Sequence, residues 1–205
     1  PYNLNYVNIS KGEQFEPSFL KISPNNRMPA IVDPDGPDGR EISIFESGAI
    51  LQYLGRKTEM FYPSNYRKQI EVDQWLFWQV GNLGPMGGQA HHFRNYSQTK
   101  FQYAIDRYTN EVNRLYGVLN KKLSDGREYI AEDYTIADMA CIGWVRNPER
   151  KGQNLENFPY LKLWFERMMA RPAVIKGISI GADINHDLSK DLEAQKILFG
   201  QKARD

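Results

Sequence analysis

Every segment of this chain that reads as a β-strand lies before residue 66, and beyond it the apolar residues recur only at helical spacing. That asymmetry points to a small α/β unit followed by an all-helical one. In the first part the expected order is strand, helix, hairpin, helix. Leu4, Tyr6 and Ile9 sit among asparagines over residues 3–9, the mostly alternating pattern of a half-buried strand. Phe15, Phe19, Leu20 and Ile22 mark a short helical stretch that Ser23-Pro24-Asn25-Asn26 stops. Residues 28–33 and 42–44 flank a Gly/Pro/Asp turn and read as a hairpin. Ser47 stands in the capping position of a helix that carries Ala49, Ile50, Tyr53 and Leu54. Three short strands and two helices leave one face and one strand position of this unit without an occupant.

In the second part, residues 70–80 are apolar over much of a helix circumference and predict a largely buried helix. Residues 100–123 keep the 3.6 period through Tyr108, Val112, Leu115 and Leu119. Thr135-Ile136-Ala137-Asp138 has the form of a capping box, and the helix over residues 160–170 ends at Arg171-Pro172. From residue 181 the chain is polar except around Ile197-Leu198-Phe199, a tail with one short helix. The expected organisation is residues 1–63, 66–180 and a tail over 181–205.

Composition removes several function classes. With 26 Lys and Arg against 25 Asp and Glu, spread along the chain, neither a nucleic-acid nor an anionic-membrane partner is indicated. Cys141 is the only cysteine, which forbids an internal disulfide and a Cys-rich zinc site and favours a reducing, cytoplasmic setting. No apolar run approaches the length needed to span a bilayer.

Two places have the makings of a site. Pro29 opens a strand, and with a cis bond before it the N–H and C=O of Met28 are free to pair with an extended ligand; an edge-strand proline is the plain alternative. At Glu46-Ser47, the free N–H groups of a helix start suit a carboxylate and Glu46 suits an ammonium, so together they suit a free α-amino acid end; an ordinary cap with an acidic neighbour is the plain alternative. Other features carry less. His91 and His92 are adjacent, about 100° apart on a helix, and do not chelate one metal together. Cys141 lies in an apolar stretch and reads as core. Asp35 and Asp38 lack calcium-loop spacing. The glycine-rich residues 81–88 follow a helix rather than a strand, so they read as a helix break rather than a phosphate loop.

Four motifs occur in order: Ser23-Pro24-Asn25-Asn26-Arg27-Met28-Pro29-Ala30-Ile31-Val32-Asp33, Phe45-Glu46-Ser47-Gly48-Ala49-Ile50-Leu51, Thr135-Ile136-Ala137-Asp138 and Arg171-Pro172-Ala173-Val174. Together they resemble the glutathione transferase superfamily. Trp75-Leu76-Phe77-Trp78-Gln79-Val80, Gly84-Pro85-Met86 and His92-Phe93 are similar to its Nu class of glutathione-dependent disulfide reductases and to a fungal regulator of the same fold. The likeness runs from about Tyr2 to about Ile178.

The resemblance implies a thioredoxin-like N-terminal domain, lacking its first strand and helix here, followed by an all-helical C-terminal domain. It implies that Met28, before a cis Pro29, pairs by backbone with the cysteinyl unit of glutathione, and that Glu46 and Ser47 hold the γ-glutamyl end. Gln14 and Arg27 would reach the glycyl end or the tripeptide backbone. Arg107 would cross a homodimer interface to the partner's ligand; its plain alternative is a surface arginine near Glu111. In relatives, the groups that face the glutathione sulfur lie on a strand and helix before the position of Tyr2. The catalytic residues are expected there, and none is assigned within this chain.

The implied function is a cytoplasmic, metal-free enzyme with glutathione as cosubstrate, reducing small-molecule or mixed disulfides and, as a further class, organic hydroperoxides. The alternatives are a non-catalytic regulator on the same fold and a conventional transferase that adds glutathione to electrophiles.

Overall fold

A computed structural model describes residues 1–182, 184 and 188–203. The chain divides into two compact units. One holds Pro1–Ile50 and the C-terminal segment; the other begins at Leu51. The division therefore falls inside a helix rather than at residues 63–66, and the tail groups with the first unit rather than standing apart.

In the first unit, 3₁₀ turns at Ile9–Lys11 and Glu13–Phe15 precede α1 (Pro17–Leu20), with Pro17 at its first position, where a missing N–H costs nothing. Strands β1 (Ala30–Asp33) and β2 (Ile42–Phe45) pair antiparallel, Ala30 opposite Phe45 and Asp33 opposite Ile42. Between them Gly36 donates to the Arg40 carbonyl at 3.0 Å. A Cβ at Gly36 would lie 2.5 Å from that carbonyl oxygen, so only glycine closes the turn this tightly.

The strand expected over residues 3–9 does not form, and the described sheet has two strands rather than three. Tyr2, Leu4 and Tyr6 are exposed, and Asn8 instead accepts from Ser10 N–H to cap the Ile9–Lys11 turn. Alternation supplies a face for burial, but a strand also needs a neighbour for its N–H and C=O groups, and among the described residues β1 and β2 pair only with each other. At the other end of the chain Asp191 caps α9 (Leu192–Phe199), which packs against the Ile9–Lys11 turn.

The second unit takes in most of α2 (Ser47–Thr58) and then α3 (Tyr66–Trp78), capped by Asn65. The glycine-rich residues do not break the helix. A π segment, Gln79–Leu83, runs from α3 into α4 (Gly84–His91), and a second one follows at His92–Tyr96. A Cβ at Gly84 or Gly87 would lie 3.3 or 3.2 Å from the ring of Trp144, so these glycines admit an indole to the helix surface.

Next come α5 (Gln102–Lys122), α6 (Ile136–Val145), α7 (Pro159–Met169) and α8 (Pro172–Ser179). Leu76, Leu83, Leu115, Leu119, Trp164 and Met168 are buried in the common core. Thr135 and Asp138 form the capping box of α6. The buried carboxylate of Asp138 also accepts from Ile130 N–H at 3.0 Å and from the Trp164 indole at 2.9 Å, joining three segments.

Candidate functional site

The hairpin register brings the two candidate places to the same end of the sheet. Pairing stops at Ala30 and Phe45, so Met28-Pro29 and Glu46-Ser47 continue from adjacent strand ends. The Met28–Pro29 peptide bond is cis, and Met28, 46% exposed, lies outside the ladder. The loop before it is held by Ser23. This buried hydroxyl donates to the Arg27 carbonyl at 2.8 Å and accepts from Arg27 N–H at 3.4 Å, while Asn26 turns the chain at a φ of 48°.

Glu46 has a φ of 69°, in the left-handed region. Its carbonyl accepts from Ile50 N–H at 2.9 Å, the first helical hydrogen bond of α2. Glu46 is therefore the flanking residue and Ser47 the first helical one, which corrects the capping position expected of Ser47. Glu46 thus immediately precedes the first turn of α2, whose leading N–H groups have no helical acceptor, and Glu46 is exposed. One of its oxygens, Oε1, accepts from Asn25 Nδ2 at 3.2 Å. Neither Ser23 nor Asn25 stood out as a site residue in the sequence, although Ser-Pro-Asn-Asn is a turn signature with side chains suited to local hydrogen bonds.

The remaining candidates differ in setting. Arg27 is exposed. Gln14 is 1% exposed, and neither Oε1 nor Nε2 of its amide has a hydrogen-bonding partner among the described residues. As the structure stands, that amide is covered. Arg107 is exposed on α5, in the second unit. Arg114 engages Glu111 through two hydrogen bonds of 2.9 and 2.7 Å, and the charge of Arg107 also acts on that carboxylate, so Arg107 sits as a surface arginine near Glu111.

Cys141 is buried, in keeping with its reading as a core residue, and desolvation pushes its thiol well above the ordinary range. His91 and His92 are half-buried, and burial pushes both imidazoles below their ordinary value. Among the described residues no three His, Cys, Asp or Glu side chains are grouped to hold a metal.

Residues 1–56 match the family described as glutathione S-transferase, N-terminal domain, and residues 88–172 the one described as glutathione S-transferase, C-terminal domain. The disulfide-bond oxidoreductase YfcG of Escherichia coli (strain K12) is 50% identical over 173 residues, 84% of this chain and 80% of that protein. The chain belongs to the glutathione S-transferase family. The transcriptional regulator URE2 of Saccharomyces cerevisiae is 33% identical across 86% of this chain and 60% of its own length. Among solved structures, a glutathione transferase from Pseudomonas putida with one glutathione disulfide per subunit is 37% identical. Its TM-score is 0.84, over 88% of this chain and 81% of that one. One from Burkholderia graminis with two glutathione molecules per subunit is 39% identical, with a TM-score of 0.82 over 87% of this chain and 77% of that one. Gln14, Arg27, Met28, Pro29, Glu46 and Ser47 fall within the first family match, and Arg107 within the second.

Proposed function

We propose that this chain binds glutathione at the end of its β-hairpin and uses it to reduce disulfides. The observation that carries the reading is the pairing of Ala30 with Phe45. It sets a free backbone edge at Met28 beside a carboxylate and a helix start at Glu46-Ser47, in a chain half identical to a disulfide-bond oxidoreductase. A γ-glutamyl end carries an ammonium and a carboxylate on one carbon. Glu46 faces the first, and the free N–H groups and hydroxyl at Ser47 face the second. An extended cysteinyl unit then pairs with Met28. In the reaction the thiolate of one glutathione attacks the glutathione sulfur of a mixed disulfide; a new S–S bond forms, the old one breaks, and the released thiolate takes up a proton. The protein contributes position and polarity, and no cysteine of its own.

Arg107 and a set of exposed apolar side chains favour a homodimer. Tyr66, Ile70 and Phe77 fall on one face of α3 and are all exposed, Phe77 at 61%, and Tyr103 at the start of α5 is 80% exposed. Such residues anchor interfaces. No described helix is long and apolar enough to cross a membrane; the lone buried thiol favours a cytoplasmic protein.

Titration with glutathione tests the recognition. A hydrogen bond to a charged group is worth about 1.5–3 kcal/mol, so Ser47→Ala and Glu46→Gln should each weaken binding by roughly one to two orders of magnitude. Cysteinylglycine, which lacks the γ-glutamyl unit, should bind poorly and lose little more in either variant. Equal losses for both ligands would mean that the two residues only support the helix. Turnover of a model disulfide with glutathione separates the enzyme from a regulator on the same fold. A faster rate on a chlorinated aromatic electrophile would favour a conventional transferase.

A further inference from the structure

The geometry points to Asn25 as a positioning residue for glutathione recognition, acting through Glu46. The inference rests on the reading that Glu46 receives the ammonium of the γ-glutamyl end. Glu46 is exposed, its backbone is left-handed, and a glutamate side chain in water samples many rotamers. A carboxylate that must be localised for each binding event loses affinity to that ordering. Its backbone is braced by the helical bond to Ile50 N–H at 2.9 Å. Its side chain is braced by Asn25, whose Nδ2 donates to Oε1 at 3.2 Å and leaves Oε2 for a cationic ligand.

Asn25 is well placed to do this because its own loop is tied down. Buried Ser23 bonds both the N–H and the C=O of Arg27, and its carbonyl accepts from Asn26 N–H at 2.9 Å. The same short loop leads into Met28. One segment thus carries the backbone edge assigned to the cysteinyl unit and the amide that orients the acid assigned to the γ-glutamyl unit, which couples the spacing of the two subsites.

A double-mutant cycle on the full chain tests the inference, with glutathione affinity by calorimetry and steady-state kinetics on a model disulfide as readouts. Asn25→Ala should raise the Kd and KM for glutathione about three- to ten-fold while kcat at saturation stays within two-fold. Asn25→Asp keeps the size and turn chemistry of the residue but opposes two acceptors, and should lose at least as much. In a Glu46→Ala background, Asn25→Ala should change affinity less than two-fold. Wild-type affinity in Asn25→Asp, or an Asn25→Ala loss that persists undiminished without Glu46, overturns the role of Asn25 alone. Wild-type affinity in Glu46→Ala overturns the recognition reading itself, and the role of Asn25 with it.

Discussion

Single residues carry much of what holds the helical unit together, and Asp138 is the clearest case. Its buried carboxylate accepts from Thr135 N–H at 3.0 Å, Ile130 N–H at 3.0 Å and Trp164 Nε1 at 2.9 Å. Asp138→Ala would strand these donors away from water, at a cost of about 1–3 kcal/mol each when no water replaces the acceptor. The expected loss is about 3 kcal/mol or more, read from urea unfolding, with Asp138→Asn milder because one acceptor survives. The Thr135–Asp138 box was legible from four consecutive residues, since capping is local chemistry. Its bonds to Ile130 and Trp164 were not, because nothing near residue 138 specifies the partner 26 residues away. Cys141 is a second residue-scale case. Sealed in the core with its thiol pushed upward, it should be dispensable, and Cys141→Ala should leave disulfide turnover within a few-fold.

At the scale of elements, charge and close packing set the contacts. Glu71 of α3 accepts from Lys122 Nζ of α5 at 2.7 Å and pairs with Arg127 at 3.3 Å. The hydrogen bond from Lys122, then the two charges, hold its carboxyl below the ordinary 4.5 against the opposing effect of burial. The folded chain thus binds fewer protons here than the unfolded one, so the stabilisation is complete above about pH 4.5 and is lost as pH falls through the lowered value. Unfolding curves of wild type and Glu71→Gln should differ by a constant amount above pH 5 and converge in acid. Lys151 behaves oppositely. Burial pulls it down to about 8. It donates to the carbonyls of Arg146 and Asn147 at 2.7 and 3.0 Å, just past the end of α6, and a neutral amine still supplies both donors. Between about pH 8 and the ordinary 10.5 the unfolded chain binds more protons. Stability relative to Lys151→Met should therefore rise with pH across that window. The α4 glycines illustrate the limit of composition: the run reads as a helix break, yet Trp144 makes it a packing surface, and Gly87→Val should cost about 1–3 kcal/mol by overpacking.

For the whole molecule, the expected state is a dimer. Sedimentation at micromolar concentration should give two chains per particle, and Phe77→Asp, on the exposed face of α3, should shift it toward monomer. Arg107→Ala should leave that state intact while weakening glutathione binding, which separates a residue that reaches a ligand from one that holds chains together.

By itself the sequence determined the split into an α/β part and a helical part, the hairpin with its Gly/Pro/Asp turn, the long period of α5, the box at Thr135 and the likeness to one family. All of these are written in neighbouring residues, through preferred dihedrals, caps and periodicity. Tertiary structure alone decided that residues 3–9 stay out of a sheet, that Gln14 is covered, and that Asn25 reaches Glu46. Those outcomes depend on a partner distant in the chain. A ladder, a buried amide or a cross-loop hydrogen bond gains its free energy only when both members meet, and neither segment encodes the other's position.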